Sequence, residues 1–235
     1  FAFSALSMFG NNLLYFVNWW LFFGMAGDVR GWGVSQMAVL YGTVAFAFGF
    51  AALFFGGARE IVLAIESGRL EVYLGKPRHP LPVLMLAEAK PYGLGDMVTG
   101  PVLWFTLGGL SWGQGVVAVI VGCSAGVILL ATITTLHSLG FWKSGAKGLV
   151  EQMFEAFIIA SSFPQHALPV SLKFILLTVI PAGFMGVVPV EAILHPSFLT
   201  VGRMVAAAAF YMAVAAWIFN RGLRRYQSGS MMASG

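Results

Sequence analysis

Apolar runs recur along this chain at about the length a helix needs to cross a bilayer, roughly 20 residues, and the charged residues stand mostly between them. Only 9% of the residues are charged and 59% are hydrophobic, with a mean hydropathy of +0.85. That is too little polar surface to coat a soluble globule, so lipid must be the solvent. At 235 residues the chain accommodates roughly five to seven spans in one membrane domain, with no soluble catalytic domain beside them.

The runs place six spans at about 1–26, 37–58, 92–110, 115–139, 149–163 and 198–219, which predicts an all-α polytopic membrane protein. The first span carries Asn11, Asn12 and Asn18, with Trp19 and Trp20 near its far end. Pro91, Asp96 and Pro101 interrupt the third, and broken backbone is tolerated only where protein or water satisfies it, so this span should face other helices. Residues 111–114 read as a tight turn. After the short fifth span, Pro164, Pro169, Pro181 and Pro189 break the chain up to His195, and 164–195 reads as a re-entrant outer segment.

Ten of the 13 basic residues, Arg59, Arg69, Lys76, Arg78, Lys90, Lys143, Lys147, Arg221, Arg224 and Arg225, fall on one side of this layout. Arg30, Lys173 and Arg203 fall on the other, which puts the 59–82 loop, the 220–235 tail and, with six spans, the N-terminus in the cytoplasm. The net charge of +4 is scattered over the ends of apolar runs rather than gathered in a stripe, so it reads as membrane orientation and not nucleic-acid binding. Phe1 is no initiator Met and no basic n-region precedes the first run, so that run reads as a span rather than a signal peptide, with residues expected upstream. Cys123 is alone, which excludes an intrachain disulfide or a cysteine metal cluster, and His79, His166 and His195 lack ligand spacing, so no metal site is expected. No internal repeat is visible, which argues against inverted-repeat carrier folds.

In the 61–74 stretch, Ile61, Val62, Ile65, Val72 and Tyr73 recur near helical spacing with Glu66, Arg69 and Glu71 between them, and Ser67-Gly68 marks a break. This predicts a short amphipathic helix or helix pair at the membrane surface, either a docking element or a simple anchor of the loop. The string Glu66-Ser-Gly-Arg-Leu-Glu-Val-Tyr-Leu-Gly-Lys-Pro77 resembles the corresponding loop of type-2 ABC exporter permeases, in particular a small bacterial branch of viologen or drug exporters. Asp96 and Gly100, Phe141-Trp142, the proline-bounded Ile180-Pro-Ala-Gly-Phe-Met-Gly-Val-Val-Pro189 and Gly222-Leu-Arg-Arg-Tyr-Gln-Ser228 agree with the same family in order along the chain. The family's usual cytoplasmic helix before its first span is not in this sequence.

The resemblance implies a six-span permease whose 59–82 loop carries a coupling helix docking on separate ABC ATPase subunits. It implies a second copy or a related permease beside it, in the bacterial inner membrane. ATP and Mg would then be bound by the partner, because Gly75-Lys76 lacks the upstream glycine of a phosphate loop, position 70 being Leu70, and Pro77 stands where Ser or Thr is required. Under this reading Glu66, Gly68, Arg69, Leu70, Tyr73, Leu74 and Pro77 form the coupling surface, with apolar side chains filling a groove and charges fixing register.

Gly122-Cys-Ser-Ala-Gly126 matches G-x-S-x-G, but a nucleophile elbow needs a strand-to-helix turn, and His137, thirteen residues on, lies about 20 Å along a helix. Gly122 and Gly126 read instead as a small-residue packing stripe, and an intramembrane serine protease is the reading set against it. Asp96, Glu151 and Glu155 together with Asn11 and Asn18 read either as a polar substrate pathway, for cationic substrates or relayed protons, or as structural bonds. In the structural case Lys147 pairs with Glu151, Asp96 braces a proline-broken helix and the asparagines join helices. An ATP-driven exporter permease is therefore the leading expectation, a proton-coupled secondary carrier the alternative, and a non-transporting assembly subunit a third.

Overall fold

The computed structural model describes residues 1–29, 31–162 and 181–226, so Arg30, Lys173, most of the proposed re-entrant segment and the end of the tail lie outside the described residues. Among the described residues the only pairing of β type is an isolated bridge between Val29 and Trp32, and every longer element is helical. Helix α1 covers Ala2–Ala26 and ends at Gly27, where φ is +67°. Helix α2, Val34–Phe55, begins three residues before its apolar run because the Gly33 N–H donates to the Gln36 side chain at 3.0 Å, and it continues as a 3₁₀ turn over Gly56–Glu60.

Three short helices follow, α3 at Ile61–Glu66, α4 at Leu70–Leu74 and α5 at Pro80–Met85. The break between α3 and α4 falls at Ser67 and Gly68, and Gly68 takes φ +75°, a conformation that L side chains rarely adopt. Helix α6, Gly93–Thr106, runs through Pro101 without interruption, although the sequence marks that proline as a break. The missing N–H removes a single backbone bond, and α6 is held along its length by α2. Helix α7, Trp112–His137, starts inside the expected 111–114 turn. Ser111 and Gln114 cap it reciprocally, with Gln114 N–H donating to Ser111 Oγ at 3.3 Å and Ser111 N–H to Gln114 Oε1 at 3.0 Å. A 3₁₀ turn at Ser138–Phe141, helix α8 at Lys147–Ser162, a 3₁₀ turn at Pro181–Phe184, α9 at Val187–Leu194 and α10 at Phe198–Leu223 complete the described chain.

Packing centres on α2, which lies against α6 and α7, while α1 packs on α6 and α10 on α7. The α2–α6 seam is made by glycines seven residues apart on each helix, Gly42 and Gly49 against Gly93 and Gly100. A Cβ at Gly100 would stand 2.9 Å from the Gly42 carbonyl, and one at Gly49 would stand 2.5 Å from the Gly93 carbonyl, so the backbones themselves are in contact. On the outside, Phe3, Leu6, Leu14 and Trp20 of α1 and Phe210, Val214 and Trp217 of α10 are exposed. A surface this apolar suits lipid rather than water. Three helical stretches, Val34–Glu66, Trp112–Phe141 and Phe198–Leu223, are long and apolar enough to cross a membrane by length and composition.

The two ends of the bundle differ in charge. At one end Glu66 accepts from the Ala146 N–H at 2.7 Å, His79 Nε2 and Asn220 Oδ1 bond at 2.7 Å, and Phe141 sits between Phe219 and Tyr226 at ring distances of 5.3 and 6.1 Å. These contacts draw the 56–90 loop, the α7–α8 turn and the end of α10 into one basic layer. At the other end Ser35 Oγ donates to the Gly108 carbonyl at 3.0 Å, Gln114 Nε2 to the Leu194 carbonyl at 3.4 Å, and Arg203 pairs with Glu191 at 3.6 Å.

Candidate functional site

Two features stand out, a cleft within the helices and an exposed platform at the basic end. The cleft runs between α1 and α8 over a floor formed by α2 and the start of α6. It comprises two cavities of about 480 and 470 Å³ that share Met8, Phe48, Asp96 and Ile158 as lining. The first opens toward the basic end past Arg59 and Glu155, and the second extends along α1 past Asn11, Tyr15 and Trp19.

Asp96 occupies the junction. It is 3% exposed and sits in the first turn of α6, where the helix dipole favours an anion. Asn12 Nδ2 donates to Asp96 Oδ1 at 2.7 Å and lies 3.3 Å from Thr99 Oγ1, while the Tyr41 hydroxyl donates to Asn12 Oδ1 at 3.4 Å. The network joins α1, α2 and α6. Of the asparagines expected in a pathway, Asn11 lines the cleft, whereas Asn18 does not, because its amide bonds the Leu14 and Tyr15 carbonyls of its own helix at 3.2 and 3.4 Å. Asn12, which the sequence presents as one of three similar residues, makes the interhelical bonds, since only its position in the helical turn faces α6.

At the mouth of the cleft Arg59 binds Glu151 at 2.7 Å and lies 4.9 Å from the Phe154 ring centroid. Glu151 therefore pairs with Arg59, 92 residues away, rather than with Lys147 one turn before it. Glu155 lines the cavity wall and makes no salt bridge among the described residues. A second chain of charges continues from there. Lys90 bonds Glu88 and approaches Glu60 at 3.8 Å, and Glu60 in turn lies 3.8 Å from Arg69. The hydrogen bond that the Lys90 ammonium donates to Glu88 holds it above its ordinary pKa, with desolvation acting the other way.

The platform is formed by α4, α5 and the turn between them. A groove of about 630 Å³ is lined by Val72, Tyr73, Lys76, Arg78 and Leu86 among others. Val72 is 67% exposed, Leu74 43% and Leu86 61%, and Lys76 lies over the Tyr73 ring at 5.1 Å. The expected coupling residues divide into two sets. Leu70 is fully buried and Glu66 braces Ala146, so these hold the segment from within, and Gly68 makes the turn. Tyr73, Leu74 and Pro77 belong to the open side, with Arg69 half-exposed beside Glu60.

Gly122 and Gly126 both lie at close helix approaches. A Cβ at Gly122 would meet the Phe46 ring at 2.7 Å, and one at Gly126 the Phe50 ring at 2.5 Å. Ser124 between them donates to the Ile120 carbonyl at 2.9 Å, within its own helix, and His137 is buried with no hydrogen-bond partner on either ring nitrogen among the described residues. No nucleophile–base pair forms between them. Among the described residues no group of acidic, His or Cys side chains is arranged to hold a metal.

An all-α bundle with an apolar exterior, an interior cleft and a charged layer at one end defines a polytopic membrane protein. The family model described as "ABC-2 family transporter protein" matches residues 9–230, and the chain belongs to that family. It is the multi-pass membrane permease subunit of an ABC transporter. No curated protein and no solved structure matches it.

Proposed function

We propose that this permease works in an ATP-driven exporter, carrying its substrate by alternating access powered by separate ATPase subunits. The observation that carries the reading is the platform. Between the second and third long helices, α4, preceded by the break at Gly68 and braced by Glu66 and Leu70, presents Val72 and Leu74 to the exterior, beside Lys76 and Arg78 of the following turn and Leu86 at the end of α5. Exposed aliphatic side chains rimmed by charge suit a protein groove, with apolar burial supplying affinity and charge supplying register.

Six spans, α1, α2, α6, α7, α8 and α10, put both termini and the basic layer on the cytoplasmic side of a bacterial inner membrane. The hydrogen bond from His79 to Asn220 and the brace from Glu66 to the α7–α8 turn tie the platform to the ends of α10 and α8, so that movement of a docked ATPase is transmitted to both. A second copy or a related permease completes the pathway, and ATP and Mg belong to the ATPase. The test is copurification in mild detergent from the native membrane. The wild-type chain retains an ABC ATPase, and Leu74→Asp loses it while eluting as wild type. Failure of the wild type to retain any ATPase would overturn the reading in favour of a secondary carrier or an assembly subunit.

A further inference from the structure

A second groove, separate from the cleft, lies between α8 and α10 over a floor formed by α7. It is about 700 Å³ and is lined by Leu136, Met153, Phe157, Val214 and Ile218 among others, with no Asp, Glu, Lys, Arg or His among the described lining residues. Helix α8 turns Phe154, Glu155 and Ile158 to the cleft and Met153 and Phe157 to this groove, so the two spaces lie on opposite faces of one helix. Along α10 the lining runs from Phe210 to Ile218, about 12 Å at about 1.5 Å per residue, which fits within one leaflet of a hydrocarbon core about 30 Å thick. Phe210 and Val214 on its α10 wall are exposed, so the groove opens sideways to lipid.

Uncompensated charge stands at the end nearest the basic layer. Val214, Ile218 and Arg221 follow at i, i+4 and i+7 and share one face of α10. Arg221 lies over the exposed Trp217 ring at 5.5 Å, and an exposed Trp beside a basic residue suits the headgroup level. Arg221, Arg224 and Arg225 are all exposed, and the ion pairs among the described residues go to Arg59, Arg69, Lys90 and Arg203 instead. All 9 Asp and Glu residues of the chain are among the described ones, so no other acidic side chain can supply the missing countercharge. An apolar slot of leaflet depth below unpaired guanidinium groups is complementary to a hydrocarbon tail under an anionic head. We infer that the groove binds one anionic glycerophospholipid, with an acyl chain against Phe157, Val214 and Ile218 and the phosphate at Arg221. Such a lipid supports α8 from the side away from the cleft. The site goes beyond the exporter reading and does not depend on an ATPase.

The test uses the full chain in detergent micelles, titrated with phosphatidylglycerol or with phosphatidylcholine of identical acyl chains and followed by native mass spectrometry. Phosphatidylglycerol should bind saturably, one per chain, and roughly tenfold or more tighter than phosphatidylcholine, as a pair of basic residues near an anionic headgroup provides. Arg221→Gln should weaken phosphatidylglycerol about fivefold and leave phosphatidylcholine unchanged. Arg203→Gln, which removes the same charge at the other end of the bundle, should change neither. Val214→Trp, which narrows the slot, should weaken both lipids, and millimolar glycerol 3-phosphate should displace neither. Equal binding of the two lipids, binding without saturation, wild-type affinity in Arg221→Gln or Val214→Trp, or displacement by glycerol 3-phosphate would overturn the assignment. Arg221 is exposed, so its substitution leaves the fold intact, and equal binding by the wild type overturns the assignment whether or not Val214→Trp folds.

Discussion

Replacing Gly49 with alanine tests whether the α2–α6 seam is a backbone contact. The new Cβ would stand 2.5 Å from the Gly93 carbonyl oxygen and 2.7 Å from Met97 Cα, both main-chain atoms that cannot rotate aside. Restoring an ordinary separation of about 3.5 Å requires α6 to retreat by about 1 Å, which forfeits a quarter to a half of each dispersion contact along the seam. Overpacking of this kind costs about 1–3 kcal/mol. Alanine recovers about 0.5–1 kcal/mol through its better helix propensity. The net expectation is destabilisation of about 1–2 kcal/mol. Gly10→Ala supplies the control, because no atom lies within 4 Å of its added Cβ, so only the favourable propensity term operates. The two variants should move in opposite directions when unfolding is followed by steric trapping in bicelles. A Gly49→Ala protein as stable as wild type, or moving with Gly10→Ala, would refute the close-packed seam.

Two further outcomes follow from the charges and from the serine motif. Lys90 has a raised pKa in the folded state, so its contribution to stability is complete below the unfolded lysine value and is lost as pH rises through the folded one, above 10.5. Thermal unfolding in detergent should therefore show a loss of stability in that alkaline window that is shallower in Lys90→Met, and an unchanged slope would show the Lys90–Glu88 bond to be unimportant. Ser124→Ala removes only a bond to the Ile120 carbonyl of the same helix, so the unfolding midpoint should shift by less than the equivalent of about 0.5 kcal/mol. The wild type should take no label from a fluorophosphonate probe, and labelling at Ser124 would revive the protease reading.

Much of the architecture is legible in the primary structure because lipid imposes a simple rule on it. Backbone groups in hydrocarbon must bond within their own helix, so long uncharged runs become helices, and the residues between them mark the ends. The break at Ser67-Gly68 was visible for a similar local reason, since Gly68 takes φ +75°. The cap at Ser111 was also present as Ser-x-x-Gln, although the stretch reads first as a turn. Pro101 misleads, because a local rule for breaking helices says nothing of the neighbour packed along α6.

Pairings between distant residues are another matter. Nothing in the sequence selects Asn12 over Asn11 or Asn18 as the partner of Asp96, 84 residues away, or Arg59 over Lys147 as the partner of Glu151. Those choices depend on the rotation of each helix about its axis and on how near two axes come, which the glycines of α2 and α6 set by letting backbones touch. Hydropathy and charge act residue by residue, so the primary structure alone specifies a helical membrane chain with a basic layer and a broken amphipathic loop. Which acids line the cleft and which face of the loop is open emerge from the folded bundle. A side chain's partners are set by the packing of helices far apart in the chain, and that packing is a property of the whole bundle.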